Sequence, residues 1–196
     1  MAKYLDFRNG LFIEAGANNG LAQSNTYWFE RFRGWRGILI EAVPDVAAKC
    51  RQNRPRARVV NAALVASEDT KTITVTTGNL MGYVTGHFAD KEQEARHRRF
   101  AVEYQNLPGL NEVQVPARTL AGILEEYNLG RIDLFSLDVE GYELEVFKGM
   151  NVERHRPRHL CVETTRPEVI CAALNGYYET IAQLSEHDFL FRARDA

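Results

Sequence analysis

The sequence predicts an α/β fold: a doubly wound, mostly parallel sheet with a C-terminal antiparallel hairpin. Three observations carry this. Short apolar runs alternate with segments of helical period from residue 11 to residue 174, as in repeated strand-helix-strand units. The first run, Leu11 to Glu14, opens into a turn containing Gly16 and Gly20. The tail from Tyr177 to Arg194 holds two β-like runs separated by polar residues compatible with a turn.

Taken in order, each element has its own signal. Residues 11–15 form a first strand apolar enough to be buried on both faces. Ser24–Phe32 sets Tyr27, Trp28 and Phe32 at helical spacing and stops at Gly34. Trp28 and Trp35 read as packing between helix and sheet. Arg36–Glu41 is the second strand. Pro44 then opens a helix to Asn53, where the missing amide of proline goes unnoticed in the first turn. Arg58–Leu64 reads as one third strand, and Lys71–Thr77 alternates like a half-exposed strand. Asp90–Leu107 is a charged helix with Phe100 and Tyr104 as its apolar edge. Thr119–Tyr127 is a capped amphipathic helix. Ile132–Asp138 is apolar enough to be a central strand, followed by a helix over Tyr142–Met150, a strand over His159–Glu163 and a helix over Pro167–Leu174. Tyr178–Ala182 and Asp188–Arg192 close the chain as the hairpin.

The 196 residues suffice for one domain, 1–196, burying about 70% of the unfolded surface. Within it, 66–118 reads as an insertion, with Asn79–Leu107 as a lid over an acceptor and Gly78, Gly82 and Gly86 as its joints. Hydrophobic content of 45% and charged content of 26% are ordinary for a globular chain. A net charge of −2 implies no general attraction to nucleic acid or anionic membrane. Arginine clusters at Arg51–Arg58, Arg96–Arg99 and Arg154–Arg158 read as solvated faces. Cys50, Cys161 and Cys171 show no metal spacing, and no stretch has the length of a membrane span or secretory signal. A reduced, cytoplasmic protein is the expectation.

Ligands on doubly wound sheets bind beyond the carboxyl ends of the strands, at the switch point. Glu14, Gly16, Asn18 and Gly20 lie at such an end, and Glu41 ends the next strand about 20 residues past the turn, where a carboxylate can accept ribose hydroxyls. A dinucleotide such as NAD and S-adenosylmethionine are the two ligands that use this arrangement. NAD lays a pyrophosphate over the turn and favours Gly-x-Gly-x-x-Gly; here the later positions are Asn18 and Leu21, and Glu14 adds a like charge. S-adenosylmethionine brings an ammonium and a sulfonium, which a carboxylate complements. Asn18 suits the left-handed backbone such a turn needs. The residues favour the methyl donor over an NAD-dependent oxidoreductase. With Ile132–Asp138 beside the first strand, Asp138 and Glu140 come next to Glu14 and Gly16, and Glu163 reaches the same rim. Four converging carboxylates require a cation, a proton or a donor network.

Several motifs, in order, resemble the FkbM-type methyltransferases: Phe12–Gly20, Ser24–Thr26, Trp35–Gly37, Leu39–Glu41 and Asp138–Glu143. The match runs from about residue 11 to residue 166 and looks most like the branch that includes Star-like proteins, whereas 66–118 matches poorly. The resemblance implies a class I Rossmann-like fold, S-adenosylmethionine as cofactor, and O-methylation of a hydroxyl on a sugar, polyketide or related small molecule. By position it implies Glu14, Gly16 and Gly20 at the methionine part, Glu41 at the ribose, and Asn61, Ala62 and Ala63 bordering the adenine. Ser24, Asn25 and Thr26 would cap a helix, contact the donor's carboxylate, or both.

An alcohol is a weak acid, so a base or a metal must assist the transfer. Asp138 and Glu163 resemble in placement the carboxylates that hold Mg²⁺ in catechol-type O-methyltransferases, and hard oxygen ligands suit that ion. A metal-free route uses Asp138 or His87 as base. Glu143 and Glu145 read as favourable charges at a helix start. A non-catalytic interaction protein keeping the fold is the second expectation, although retention of the acids and glycines favours a working donor site.

Overall fold

The computed structural model describes residues 1–88 and 90–194; residue 89, inside the expected insertion, falls outside that range. Strand β1 (Leu11–Ala15) lies inside a seven-stranded sheet, paired in parallel with β2 (Arg36–Glu41) on one side and β8 (Leu134–Leu137) on the other. It is central because Phe12 and Ile13 are both buried, one on each face. Beyond β2 comes β3 (Arg58–Asn61), and beyond β8 comes β9 (His159–Glu163), both parallel. The order therefore reverses between β1 and β8, which makes their carboxyl ends the switch point. The tail forms the expected hairpin, β10 (Tyr178–Gln183) and β11 (Asp188–Ala193), with β11 antiparallel to β9.

Helices cover both faces. Under α1 (Tyr27–Arg33) and α2 (Pro44–Asn53), Phe12, Phe29, Trp35, Leu39 and Cys50 form one core layer. On the other face α4 (Leu120–Tyr127), α5 (Glu143–Lys148) and α6 (Pro167–Ala173) pack Ile123, Leu124, Phe147 and Ile170 against Ile13, Ile38 and Phe135. The Thr119 hydroxyl caps α4 by accepting from Gly122 N at 3.0 Å.

The third strand departs from its expected course. Arg58–Leu64 divides at Ala62, and β4 (Ala63–Leu64) leaves the main sheet to pair with β7 (Asn111–Arg118). Asn61 marks the break: its side-chain amide donates to the carbonyls of Glu41 (2.9 Å) and Ala42 (2.7 Å), tying β3 to the chain leaving β2. A smaller sheet follows in the order β4-β7-β5-β6, with β5 (Thr72–Thr77) and β6 (Tyr83–Val84). Two of its strands were not predicted. β7 contains Pro116, which argues against a strand from sequence, and β6 is too short to leave a period.

Helix α3 (Lys91–Gln105) is capped by Asp90, which accepts from Gln93 N. Its buried residue is Ala101, while Phe100 and the 70% exposed Tyr104 stack on each other in solvent, 5.4 Å between centroids. The expected apolar edge is thus an outer face. Trp35 packs as expected, but Trp28 is 40% exposed. Among the described residues the three cysteines are free, and no helix is long and apolar enough to cross a membrane.

Candidate active site

The turn after β1 is shaped by contact with β8. Gly16 has φ +77°, and a Cβ there would lie 1.7 Å from the Asp138 carbonyl oxygen, so only glycine lets the two strand ends pass. Its amide and that of Ala17 both donate to the Ile40 carbonyl at 3.1 Å. Glu41 completes the turn from the β2 side, accepting from Asn18 N at 2.9 Å and Val43 N at 2.8 Å. Burial pushes the Glu41 carboxyl above its ordinary range, opposed by these amides.

Glu14 faces away from the turn's mouth. Its carboxylate accepts from the Ser24 hydroxyl (2.8 Å), the Asn25 amide (2.8 Å) and the Thr26 hydroxyl, fixing the loop that leads into α1. Ser24 also accepts from Tyr27 N at 3.1 Å, the helix-start role expected of it. Burial raises the Glu14 pKa while the hydroxyls and Arg54 oppose the rise.

Arg54 corrects the expectation of a solvated arginine cluster, because its side chain is wholly buried. It donates to Glu30 through two nitrogens (2.8 and 2.7 Å), to the Gly20 carbonyl (2.8 Å), and to the Ser24 and Thr26 hydroxyls (both 3.1 Å); Glu14 is 3.9 Å away. A signal existed. Ala47, Cys50 and Arg54 share one helical face, and the first two are apolar, which places Arg54 on the inward side.

A cavity opens at the switch point, and Gly16, Asn18, Glu41, Ala62 and Asp138 all line it. The other predicted donor residues stand behind that wall. Glu14 holds the loop, Gly20 offers its carbonyl to Arg54, Asn25 donates to Ser136 Oγ at 3.0 Å, and Asn61 holds the chain after β2. The roof comes from residues between Thr77 and Val84, which overlap only the start of Asn79–Leu107, the segment expected to cover an acceptor.

A second cavity lies outward, lined by His87, His97, Glu140, Glu163, Arg166 and His187 among others, and the two cavities share Glu140. Carboxylate oxygens of Asp138, Glu140 and Glu163 lie within 4.8 Å of one another, so Glu140 joins the two acids foreseen as a pair. Burial first, then hydrogen bonding and charge from Glu163, push Asp138 well above the carboxylate range; two carboxyls share such a bond only if one is protonated. Burial, then Glu163 and Glu143, raise Glu140 to about 8. His97 Nε2 stands 3.8 Å from Glu140, and His87 Nδ1 is 2.6 Å from the Val84 carbonyl.

Glu143 does more than place charge at a helix start. It is buried and accepts from Val139 N (3.3 Å) and Gly141 N (3.1 Å), holding a turn in which Glu140 (φ +55°) and Gly141 (φ +95°) are left-handed. The half-buried Glu145 pairs with Lys148 instead.

A titration follows from the raised Glu140 pKa. Its neutral form favours the folded state fully below the ordinary value of 4.5, and that stability is lost as pH rises through about 8. Glu140→Gln should therefore remove part of the loss of melting temperature between those pH values. Parallel melting curves for the two proteins would contradict the assignment.

A doubly wound sheet with a glycine turn after its first strand, an acid ending its second, and an acidic turn across the switch point defines the Rossmann-like fold of class I methyltransferases. More narrowly, the chain belongs to the FkbM methyltransferase family: the family model described as a methyltransferase FkbM domain matches residues 14–191. It is 34% identical over 97 residues, 45% of this chain, to methyltransferase sdnD of Sordaria araneosa. It shares its fold with a methyltransferase FkbM from Methylobacillus flagellatus KT, at a TM-score of 0.52 and 13% identity over 94% of this chain. The chain spans 38% and 43% of the lengths of these two proteins.

Proposed function

We propose that this protein transfers a methyl group from S-adenosylmethionine to a hydroxyl of a small molecule such as a sugar or polyketide. The observation that carries the reading is Glu41, held by two backbone amides in the wall of a switch-point cavity that opens onto the carboxylates. In this reading the donor occupies the inner cavity, with its ribose at Glu41 and its adenine bordered by Ala62. Glu14, Gly20, Asn25 and Asn61 serve it by holding the walls.

The acceptor enters the outer cavity and brings its oxygen to the methyl group beside Glu140. Bound in the inner cavity, S-adenosylmethionine would supply the electrophilic methyl group, its sulfur leaving with the carbon–sulfur electron pair as S-adenosylhomocysteine when the acceptor oxygen takes the methyl carbon. The acceptor's proton passes to a carboxylate. Glu140, Asp138 and Glu163 are the nearby carboxyls, each able to take the proton only in its ionised form, and Glu140, raised to about 8, is ionised at mildly alkaline pH. His87, at the outer cavity, is a further base within the same enclosure. The spacing of the three carboxylates also fits a hard divalent cation such as Mg²⁺. Bound there, such an ion would supply charge that lowers the hydroxyl's pKa.

Calorimetric titration with S-adenosylhomocysteine, with NAD as comparison and each with and without Mg²⁺, tests the reading. Micromolar binding of the homocysteine compound alone is the expected result. Glu41→Ala should weaken it roughly 10- to 100-fold, the loss of hydrogen bonds to a charged group. Unchanged affinity in that variant would remove Glu41 from the donor site. Absence of binding to the unaltered protein would favour a non-catalytic role for the fold.

A further inference from the structure

We propose that Gln105, at the end of α3, is a positioning residue of the donor site: it latches the roof of the inner cavity in place. The inference rests on the reading of that cavity as the donor site.

The roof carries a single turn of 3-10 helix, Asn79–Met81, between Gly78 and Gly82. Such a turn satisfies few of its own backbone groups, and those facing inward need partners. Gln105 gives Leu80 N its acceptor and gives the Gly78 carbonyl, which already accepts from Met81 N at 2.9 Å, a second donor. Its amide nitrogen donates to the Gly78 carbonyl at 2.7 Å, and its amide oxygen accepts from Leu80 N at 2.9 Å. Gly78, Asn79 and Leu80 all line the cavity. From the opposite wall, Asn18 donates to the Asn79 carbonyl at 2.9 Å. The roof is thus suspended between the glycine turn and α3.

The geometry demands an amide. Glutamine donates and accepts from one planar group, whereas an ionised glutamate only accepts and leucine does neither. Gln105 also has a rigid base, the last helical residue before Asn106 turns left-handed at φ +50°. About two helical turns earlier the same helix carries His97, 3.8 Å from Glu140. One helix therefore sets both the height of the donor roof and a neighbour of the shared carboxylate.

Gln105 is only half-buried, so its replacement leaves both sheet cores untouched. Gln105→Leu should bind S-adenosylhomocysteine about tenfold more weakly while melting within about 2 °C of the unaltered protein. Amide exchange should quicken at Leu80 and its neighbours and nowhere else, a local signature that general destabilisation does not produce. Gln105→Glu, which keeps the acceptor for Leu80 N and loses the donor to Gly78, should also bind more weakly. This second variant keeps the test decisive if the leucine protein fails to fold.

Unaltered affinity in a folded variant overturns the proposal, as does weakened binding accompanied by faster exchange throughout the molecule. An unaltered protein that binds no S-adenosylhomocysteine overturns the donor reading itself, and the role of Gln105 with it.

Discussion

Arg54→Met should destabilise the protein by about 3–5 kcal/mol, lowering its melting temperature by on the order of 10 °C. Methionine keeps most of the length of the side chain, so the loss comes chiefly from what arginine leaves behind. Glu30 loses two charge-assisted hydrogen bonds in a buried setting, and Glu14 loses its nearest cation. The Gly20 carbonyl and the Ser24 and Thr26 hydroxyls lose a shared donor. These groups belong to the loop behind the inner cavity, which we propose holds the donor, so S-adenosylhomocysteine binding should weaken as well. Denaturant unfolding of Arg54→Met, Glu30→Met and the double variant tests the argument. The double variant should recover part of the loss, since removing both partners leaves less uncompensated charge than removing one. A loss below about 1 kcal/mol in the single variant would show that the guanidinium is replaceable.

Gly16→Ala should abolish measurable binding of S-adenosylhomocysteine even where the chain still folds. The added methyl would meet the Asp138 carbonyl oxygen at 1.7 Å and its carbon at 2.9 Å. Neither backbone can retreat freely, because Asp138 N donates to the Ala15 carbonyl at 3.2 Å and Ala15 is in register with Leu137. Moving them apart opens the switch point, where Gly16 and Asp138 both face the cavity. Gly86→Ala is the control. Gly86 has nearly the same φ, +75°, but nothing within 4 Å of its would-be Cβ. It should cost only the backbone penalty of about 1–2 kcal/mol and leave binding intact. Thermal unfolding and calorimetry on the pair separate conformational strain from collision; equal binding losses in both variants would show that the contact with Asp138 is not the cause.

Local pattern made the main sheet legible. Strands at 11–15, 36–41, 134–137 and 159–163 announce themselves because burial on both faces forces near-continuous apolar runs, and each is short enough for one window to capture. The acids at strand ends were legible for a related reason: in a doubly wound sheet, the position just after a parallel strand projects to the ligand edge whatever the rest of the chain does. Glu41, Asp138 and Glu163 reach that edge, as their place in the sequence required.

The division of Arg58–Leu64 between two sheets was not legible, because the partner of β4 lies in β7, with Ala63 opposite Ala117, and only that pairing distinguishes one strand from two. Arg54 looked like one more charge in a basic stretch until α1 and the glycine loop closed over it with Glu30, 24 residues away. Glu14 was placed at the correct strand end, yet its carboxylate turns to the loop of Ser24, Asn25 and Thr26, a choice made by which hydroxyls and amides arrive beside it. The hold of Gln105 on Gly78 likewise spans 27 residues. By itself the sequence determined the elements, their alternation and the acids of the ligand edge, because periodicity and strand ends are properties of neighbouring residues. Tertiary structure alone decided which of those acids line the cavity, which are locked behind it, and what holds the roof. Those outcomes depend on distant groups meeting in a buried space, where each polar atom takes the partner that packing brings within reach.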